Sequence, residues 1–179
     1  MVTHRNMGTV FSADIIEFVT LASKYCAFME HPDVENEAEL YRSVLKLLGA
    51  IYQKVLTLPV LPADDDELET YVTEEQYNHV RSQIAVLLGT NDDYLDTFVE
   101  DMKYSDKPIL RTISEDLADV YQVLGDFVCL YQTEVEDVMF RALSRVVGSF
   151  TEYWGGRLLS AMRAVHELLC MSHDEEGQY

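Results

Sequence analysis

SDKPILRTISEDLADVYQVLGDFVCLY, Ser105 to Tyr131, is the stretch around which the chain is organised. Leu110, Ile113, Leu117, Val120, Leu124, Phe127 and Tyr131 follow one another at alternating intervals of three and four. That spacing draws one apolar stripe along a helix. Glu115, Asp119, Gln122 and Asp126 fall on the opposite side. The helix is predicted to begin near Ser114, a good cap, or a turn or two earlier after Pro108. Glu115 and Asp116 complement the positive end of a helix that starts there.

Downstream, Thr133 and Glu136 have capping-box spacing and open the last helical region. Val138, Ala142, Val146, Phe150, Tyr153, Arg157, Ala161, Val165 and Leu168 keep one phase across Gly155-Gly156. Two adjacent glycines cost a helix about 2 kcal/mol relative to alanine. The unbroken phase nevertheless predicts one long helix with a kink at the pair. Upstream, Thr73 with Gln76 forms a capping box and Val72 with Tyr77 a hydrophobic staple. Val80, Ile84 and Leu87 face inward, and Gly89 stands where a left-handed cap is expected. An earlier helix opens at Asn36 with Glu39, carries Leu40, Val44, Leu47, Ile51, Val55 and Leu58, and ends at Pro59. The first helix opens at Ser12, with Phe11 and Ile16 as its staple and Asp14 in its first turn. It buries Ile15, Val19, Ala22, Cys26 and Met29, and stops before Pro32. Tyr94, Leu95, Phe98 and Val99 are read as a short helix within Asn91–Lys103. No strand-like alternation is visible. The prediction is an all-α fold: a single-domain helical bundle of five to six helices with a long C-terminal helix. It spans residues 12–171, between tails at 1–11 and 172–179.

Composition excludes several function classes. A chain of 179 residues that is 48% apolar can fill one core. Its formal charge is −19, which repels phosphate backbones and anionic membranes and favours basic partners or cations. Neither nucleic acid nor membrane is expected as a partner. No apolar run reaches the roughly 18–20 residues of a membrane span. The first ten residues lack a signal-peptide layout, so a cytoplasmic location is expected. Cys26, Cys129 and Cys170 have no CxxC spacing, and buried, reduced thiols are expected. The loop after Pro59, with Asp64, Asp65, Asp66, Glu67 and Glu69, lacks EF-hand spacing and reads as solvated.

Tyr104-Ser105-Asp106 with Pro108, followed by ISEDLADVYQ from Ile113 to Gln122, resembles an uncharacterised family of bacterial helical proteins, catalogued as a domain of unknown function. Phe18-Val19, Lys24-Tyr25-Cys26 and Phe28 agree with it. So do Phe150, Tyr153-Trp154-Gly155, Leu158, Ala161, Arg163, Ala164 and His166. The likeness runs from about Ser12 to Leu169 and departs at Gly156, where a polar residue is more usual. It implies a bacterial, intracellular, all-helical domain and transfers no catalytic residue.

Asp116 is the carboxylate of most interest. It lies about 60° from the centre of the apolar stripe, at about 100° per residue. An interface rim there demands a partner, and Arg157 or Arg163 could supply it. Glu115 and Asp119 could share a cation, but no Glu-x-x-His accompanies them, and a solvated acidic face is the simpler reading. His166 reads first as hydrogen-bonded structure. Tyr153-Trp154-Gly155-Gly156 suits close helix packing, a ligand pocket or a contact surface. There is no nucleophile elbow, P-loop or dinucleotide fingerprint. No catalytic residue, metal ligand or cofactor is assigned.

Two functions remain compatible with these residues. The first is an acidic intracellular interaction module, non-enzymatic, docking a basic or amphipathic protein partner. The alternative is a small-ligand binder or unusual enzyme, with a site between the central and C-terminal helices built from Asp116, Tyr121, Tyr153, Trp154, Arg157 and His166. The stripe is equally compatible with a monomer and a homo-oligomer.

Overall fold

In a computed structural model of the chain, residues 9–62, 67–97 and 108–176 are described. Asp64, Asp65 and Asp66 of the acidic loop, and Tyr104-Ser105-Asp106, lie outside them. Among the described residues are six α-helices: α1 (Ala13–Glu30), α2 (Glu37–Val55), α3 (Glu74–Leu88), α4 (Ile113–Tyr131), α5 (Glu136–Ser149) and α6 (Gly155–Glu176). α6 therefore runs past Ser172, where the polar sequence predicts a fraying tail.

α4 is the axis. It packs against α1, α3, α5 and α6, while α2 closes the other side against α1 and α6. A helix contacted all round must be apolar all round, and α4 buries more than its stripe: Ala118, Tyr121 and Val128 are also in the core. Phe18 meets Phe127 with ring centroids 5.2 Å apart. Tyr25 reaches across to donate its hydroxyl to the Leu117 carbonyl at 2.8 Å.

Local capping holds at two predicted starts. The Thr73 and Gln76 side chains satisfy each other's backbone N–H groups, as a capping box requires. Asn36 accepts from Glu39 N, while the Glu39 carboxylate takes Glu35 N. Elsewhere tertiary packing changes the pattern. Phe11 and Ile16, the predicted staple, are both exposed. Val10, assigned to the N-terminal tail, is buried, and its carbonyl accepts from Tyr131. α2 ends at Val55, a turn before Pro59. Thr133 does not cap α5: its hydroxyl donates to Leu130 O at the end of α4, and Glu134 makes the turn at φ 57°. Asp126, predicted to face out, is buried. It accepts the N–H groups of Tyr71 and Val72 at 2.6 and 2.8 Å, which moors the segment before α3. Neighbouring Gly125 permits that approach, since a Cβ there would stand 2.7 Å from Val72 Cγ2.

The bundle is helical as expected, with two short strands added to it. β1 (Asp93–Asp96) and β2 (Ile109–Thr112) pair antiparallel, with Tyr94 opposite Arg111 and Leu95 opposite Leu110. The short helix predicted within Asn91–Lys103 is instead a strand from Asp93 to Asp96; Phe98 and Val99 lie outside the described residues. Four polar-rich residues are too few to show a period of two in sequence. Their side chains are sorted by contacts with α4: Tyr94 and Arg111 share one face and turn to Asp116.

The C-terminal helix is not one continuous α-helix. Phe150–Trp154 forms a π turn, with Gly155 N bonding to Phe150 O. A π turn carries an extra residue and rotates the helix downstream of it. The buried series passes from Val146 to Trp154 and Leu158 rather than through Tyr153 and Arg157. The two glycines then have different duties. A Cβ on Gly155 would lie 2.5 Å from Phe150 O and 2.9 Å from its ring, whereas one on Gly156 meets nothing within 4 Å. Gly155→Ala is expected to cost about 1–3 kcal/mol. Gly156→Ala is expected to gain up to about 1 kcal/mol. Urea denaturation of both variants checks this, and equal effects at the two positions would refute the π-turn account.

Candidate functional site

The ribbon, the first turns of α4 and the start of α6 bring a charged cluster together. Asp92 is its brace: its carboxylate accepts Ser114 N at 2.7 Å and Ser114 Oγ at 2.6 Å, and its carbonyl accepts Ile113 N. Thr112, not Ser114, is the N-cap of α4, accepting Glu115 N. Two residues thus hold the helix end from the ribbon side, and Asp116 is delivered directly beneath β1–β2.

Asp116 has 0% of its surface exposed. Tyr94 donates its hydroxyl to one carboxylate oxygen, and Arg111 Nη2 donates to the other at 2.5 Å. Arg157 Nη1 stands 3.6 Å from Asp116 Oδ1, and Arg157 Nε is 3.5 Å from Asp119 Oδ2. Asp119 also accepts the Tyr77 hydroxyl at 2.9 Å, and Arg111 Nε lies 3.8 Å from Asp96. Three carboxylates therefore face two guanidiniums. Burial pushes the Asp116 carboxyl up to about 7, against the opposing pull of the Tyr94 hydrogen bond and Arg111. Tyr94 and Tyr77 are raised well above the usual phenol range by burial first and then by their carboxylate partners. Burial takes Tyr153 to about 12. All three phenols remain donors at neutral pH.

A groove of about 900 Å³ opens beside this cluster, between β1 and α6. Its polar lining includes Tyr94, Asp96, Tyr153, Arg157, Ser160 and His166, with Glu152, Arg163 and Glu167 adding further charges, and Leu45, Leu159 and Met162 are apolar residues of its wall. The π turn creates this wall. By moving Trp154 and Leu158 into the core, it leaves Tyr153 and Arg157 on the groove side, with the guanidinium 5.5 Å from the Tyr153 ring centre.

The predicted site residues divide accordingly. Tyr153, Arg157 and His166 line the groove, and Asp116 sits behind it, joined through Tyr94 and Arg157. Tyr121 points to α1, donating to Glu30 at 2.8 Å. Trp154 is in the core, with its indole N–H on Val146 O at 2.8 Å. Neither joins the cluster, because Tyr121 is more than a quarter-turn from Asp116 around α4 and the π turn rotates Trp154 inward. Of the two guanidiniums expected near Asp116, Arg157 is there and Arg163 instead pairs with Glu167 at 3.1 Å. Tyr94, Asp96 and Arg111 escape a reading by helical phase, since only the ribbon places them over α4. Among the described residues, no three His, Cys, Asp or Glu side chains converge as a metal site. No helix there is long and apolar enough to cross a membrane.

Fold and cluster define a helical bundle whose central helix is clasped by a two-stranded ribbon through a buried carboxylate. The chain belongs to the DUF5063 family, a domain of unknown function whose model matches residues 9–171. It is similar to the crystal structure of protein BF1032 from Bacteroides fragilis, with 35% sequence identity and a TM-score of 0.77. That likeness covers 89% of this chain and 94% of the other. No curated protein matches.

Proposed function

We propose that the protein binds a small amphipathic molecule in the groove between β1 and α6. The observation that carries this reading is the groove itself: about 900 Å³, lined by apolar residues together with Arg157 and Tyr153. Small-molecule sites are typically concave, mostly apolar and furnished with a few fixed polar groups. The ion-paired cluster behind the groove fixes Arg157 and Tyr94 in advance, which lowers the ordering cost of binding. The groups that the cluster presents to the groove, a guanidinium and phenols, are suited to hold and orient a ligand, so binding is the function proposed.

Thermal-shift screening against metabolites and small amphiphiles tests it. A ligand bound by the folded form alone, at about a hundred times its Kd, should raise Tm by roughly 5–10 °C. Ser160→Trp, which fills the groove, should abolish the shift. A shift that survives Ser160→Trp would place binding elsewhere.

A second reading, an acidic docking module for a basic or amphipathic protein, is favoured by the formal charge of −19. The exposed pair Leu95 and Leu110 on the outer face of the ribbon adds an apolar contact patch. Capture of one specific partner at low salt, weakened at high salt, would support it. Failure to recover any under either condition would count against it.

A further inference from the structure

We infer that the groove selects a monoanionic carboxylate carried on an apolar body, and that the Arg157 guanidinium is the group that recognises it. This inference rests on the groove being a ligand site and adds the chemistry of its occupant.

Among the described residues that line the groove, Arg157 has donors to spare. Its contacts with Asp116 and Asp119, 3.6 and 3.5 Å, are longer than the roughly 2.7–3.2 Å of an N–H···O hydrogen bond. Those carboxylates are meanwhile engaged at shorter range by other donors: Arg111 at 2.5 Å on Asp116, and Tyr77 at 2.9 Å on Asp119. The field of the two aspartates thus holds Arg157 in place without consuming its N–H fork. A guanidinium presents five donors in a plane, and a carboxylate is the group that accepts two of them in parallel. The Tyr153 ring, 5.5 Å away, keeps water from one side of that plane.

The other cation on the groove wall does not fill this role. Arg163 is largely exposed and already forms two hydrogen bonds to Glu167, at 3.1 and 3.2 Å. The carboxylates also limit the ligand's charge. Asp116 and Asp119 stand close to Arg157, and Asp96, Glu152 and Glu167 also line the groove, in a chain of net charge −19. Because carboxylates outnumber guanidiniums around the groove, the net field disfavours the second negative charge of a dianion such as a phosphate monoester. Leu45, Leu159 and Met162, which also line the groove, give the rest of the ligand an apolar surface.

The test uses matched probes that differ only in charge: 1-naphthaleneacetate against 1-naphthaleneacetamide, and octanoate against octanamide. Each is titrated by calorimetry into the full chain and into Arg157→Gln, Arg157→Lys and Ser160→Trp, after thermal melts confirm that each variant is folded. In at least one pair the acid should bind the unaltered chain about tenfold or more tighter than its amide. Arg157→Gln should bring that acid down to its amide and leave the amide unchanged. Arg157→Lys, which keeps the charge but loses the fork, should retain only part of the preference and covers the case in which the glutamine variant unfolds. Acids no tighter than their amides, or a preference that survives Arg157→Gln, would overturn the carboxylate assignment. If the amides bind and Ser160→Trp abolishes them, the groove remains a ligand site and only the anchor falls. If no probe binds, both readings fall together.

Discussion

Asp116→Ala is expected to destabilise the protein by about 3–5 kcal/mol, the cost of leaving a buried guanidinium without its partner. Asp116 is fully buried and receives Tyr94 and Arg111 directly. Removing it strands Arg111, whose other close carboxylate is Asp96 at 3.8 Å. The hairpin then loses its main attachment to α4 on that face. For a domain of this size, Tm should fall by about 10 °C or more. Urea unfolding followed by circular dichroism measures it, and a loss below about 1 kcal/mol would show that the cluster is a solvated surface network.

The same residue sets a pH dependence. Burial raises its carboxyl from the ordinary 3.8 to about 7. Across that window the folded chain holds a proton that the unfolded chain has released. The proton-linked part of the Asp116 contribution to stability, which adds to its hydrogen bonds with Tyr94 and Arg111, is therefore fully present below pH of about 4, declines as pH rises, and is lost above about 7. Asp116→Asn cannot ionise and should lack this slope. Measured against that variant, the unaltered protein should weaken between these limits. Parallel pH–stability curves would refute the assignment.

Trp154→Ala should have an effect of similar size, about 3–5 kcal/mol, by cavity formation. The indole is fully buried, lies edge-on to Phe150 at 4.7 Å, and donates to Val146 O. That last bond caps a carbonyl in the helix before the π turn, where the α-helical pattern is interrupted. Trp154→Phe retains much of the packing but loses the donor, so it should cost clearly less than alanine. Both are read by denaturant titration with circular dichroism, because Trp154 is the chain's single tryptophan. If alanine cost no more than phenylalanine, the ring would not be filling the core.

Much of the fold is legible in the sequence because its signals are local. The Thr73–Gln76 box involves neighbours within one helical turn, and the α4 stripe repeats at every turn. The candidate site is legible only in part. Helical phase and residue type point to Asp116, Tyr153, Arg157 and His166, whereas Tyr94 and Arg111 depend on a four-residue ribbon too short to announce itself. The slip between Tyr153 and Trp154 does leave a trace: Trp154 and Leu158 are more apolar than Tyr153 and Arg157. A uniform α-helical phase hides that trace, because it places Tyr153 and Arg157 in line with Val146 and Phe150.

Apolar residues at intervals of three and four are enough to dictate a bundle around the Ile113–Tyr131 helix, since burying one stripe per helix satisfies every such segment at once. Which polar groups meet is settled by packing in three dimensions. Asp116 finds Tyr94, Arg111 and Arg157 from three separate elements. The facing of Arg157 depends on one additional residue in a π turn. Long-range charge pairing leaves no period in a sequence, because its partners are chosen by the contact between elements rather than by spacing along the chain.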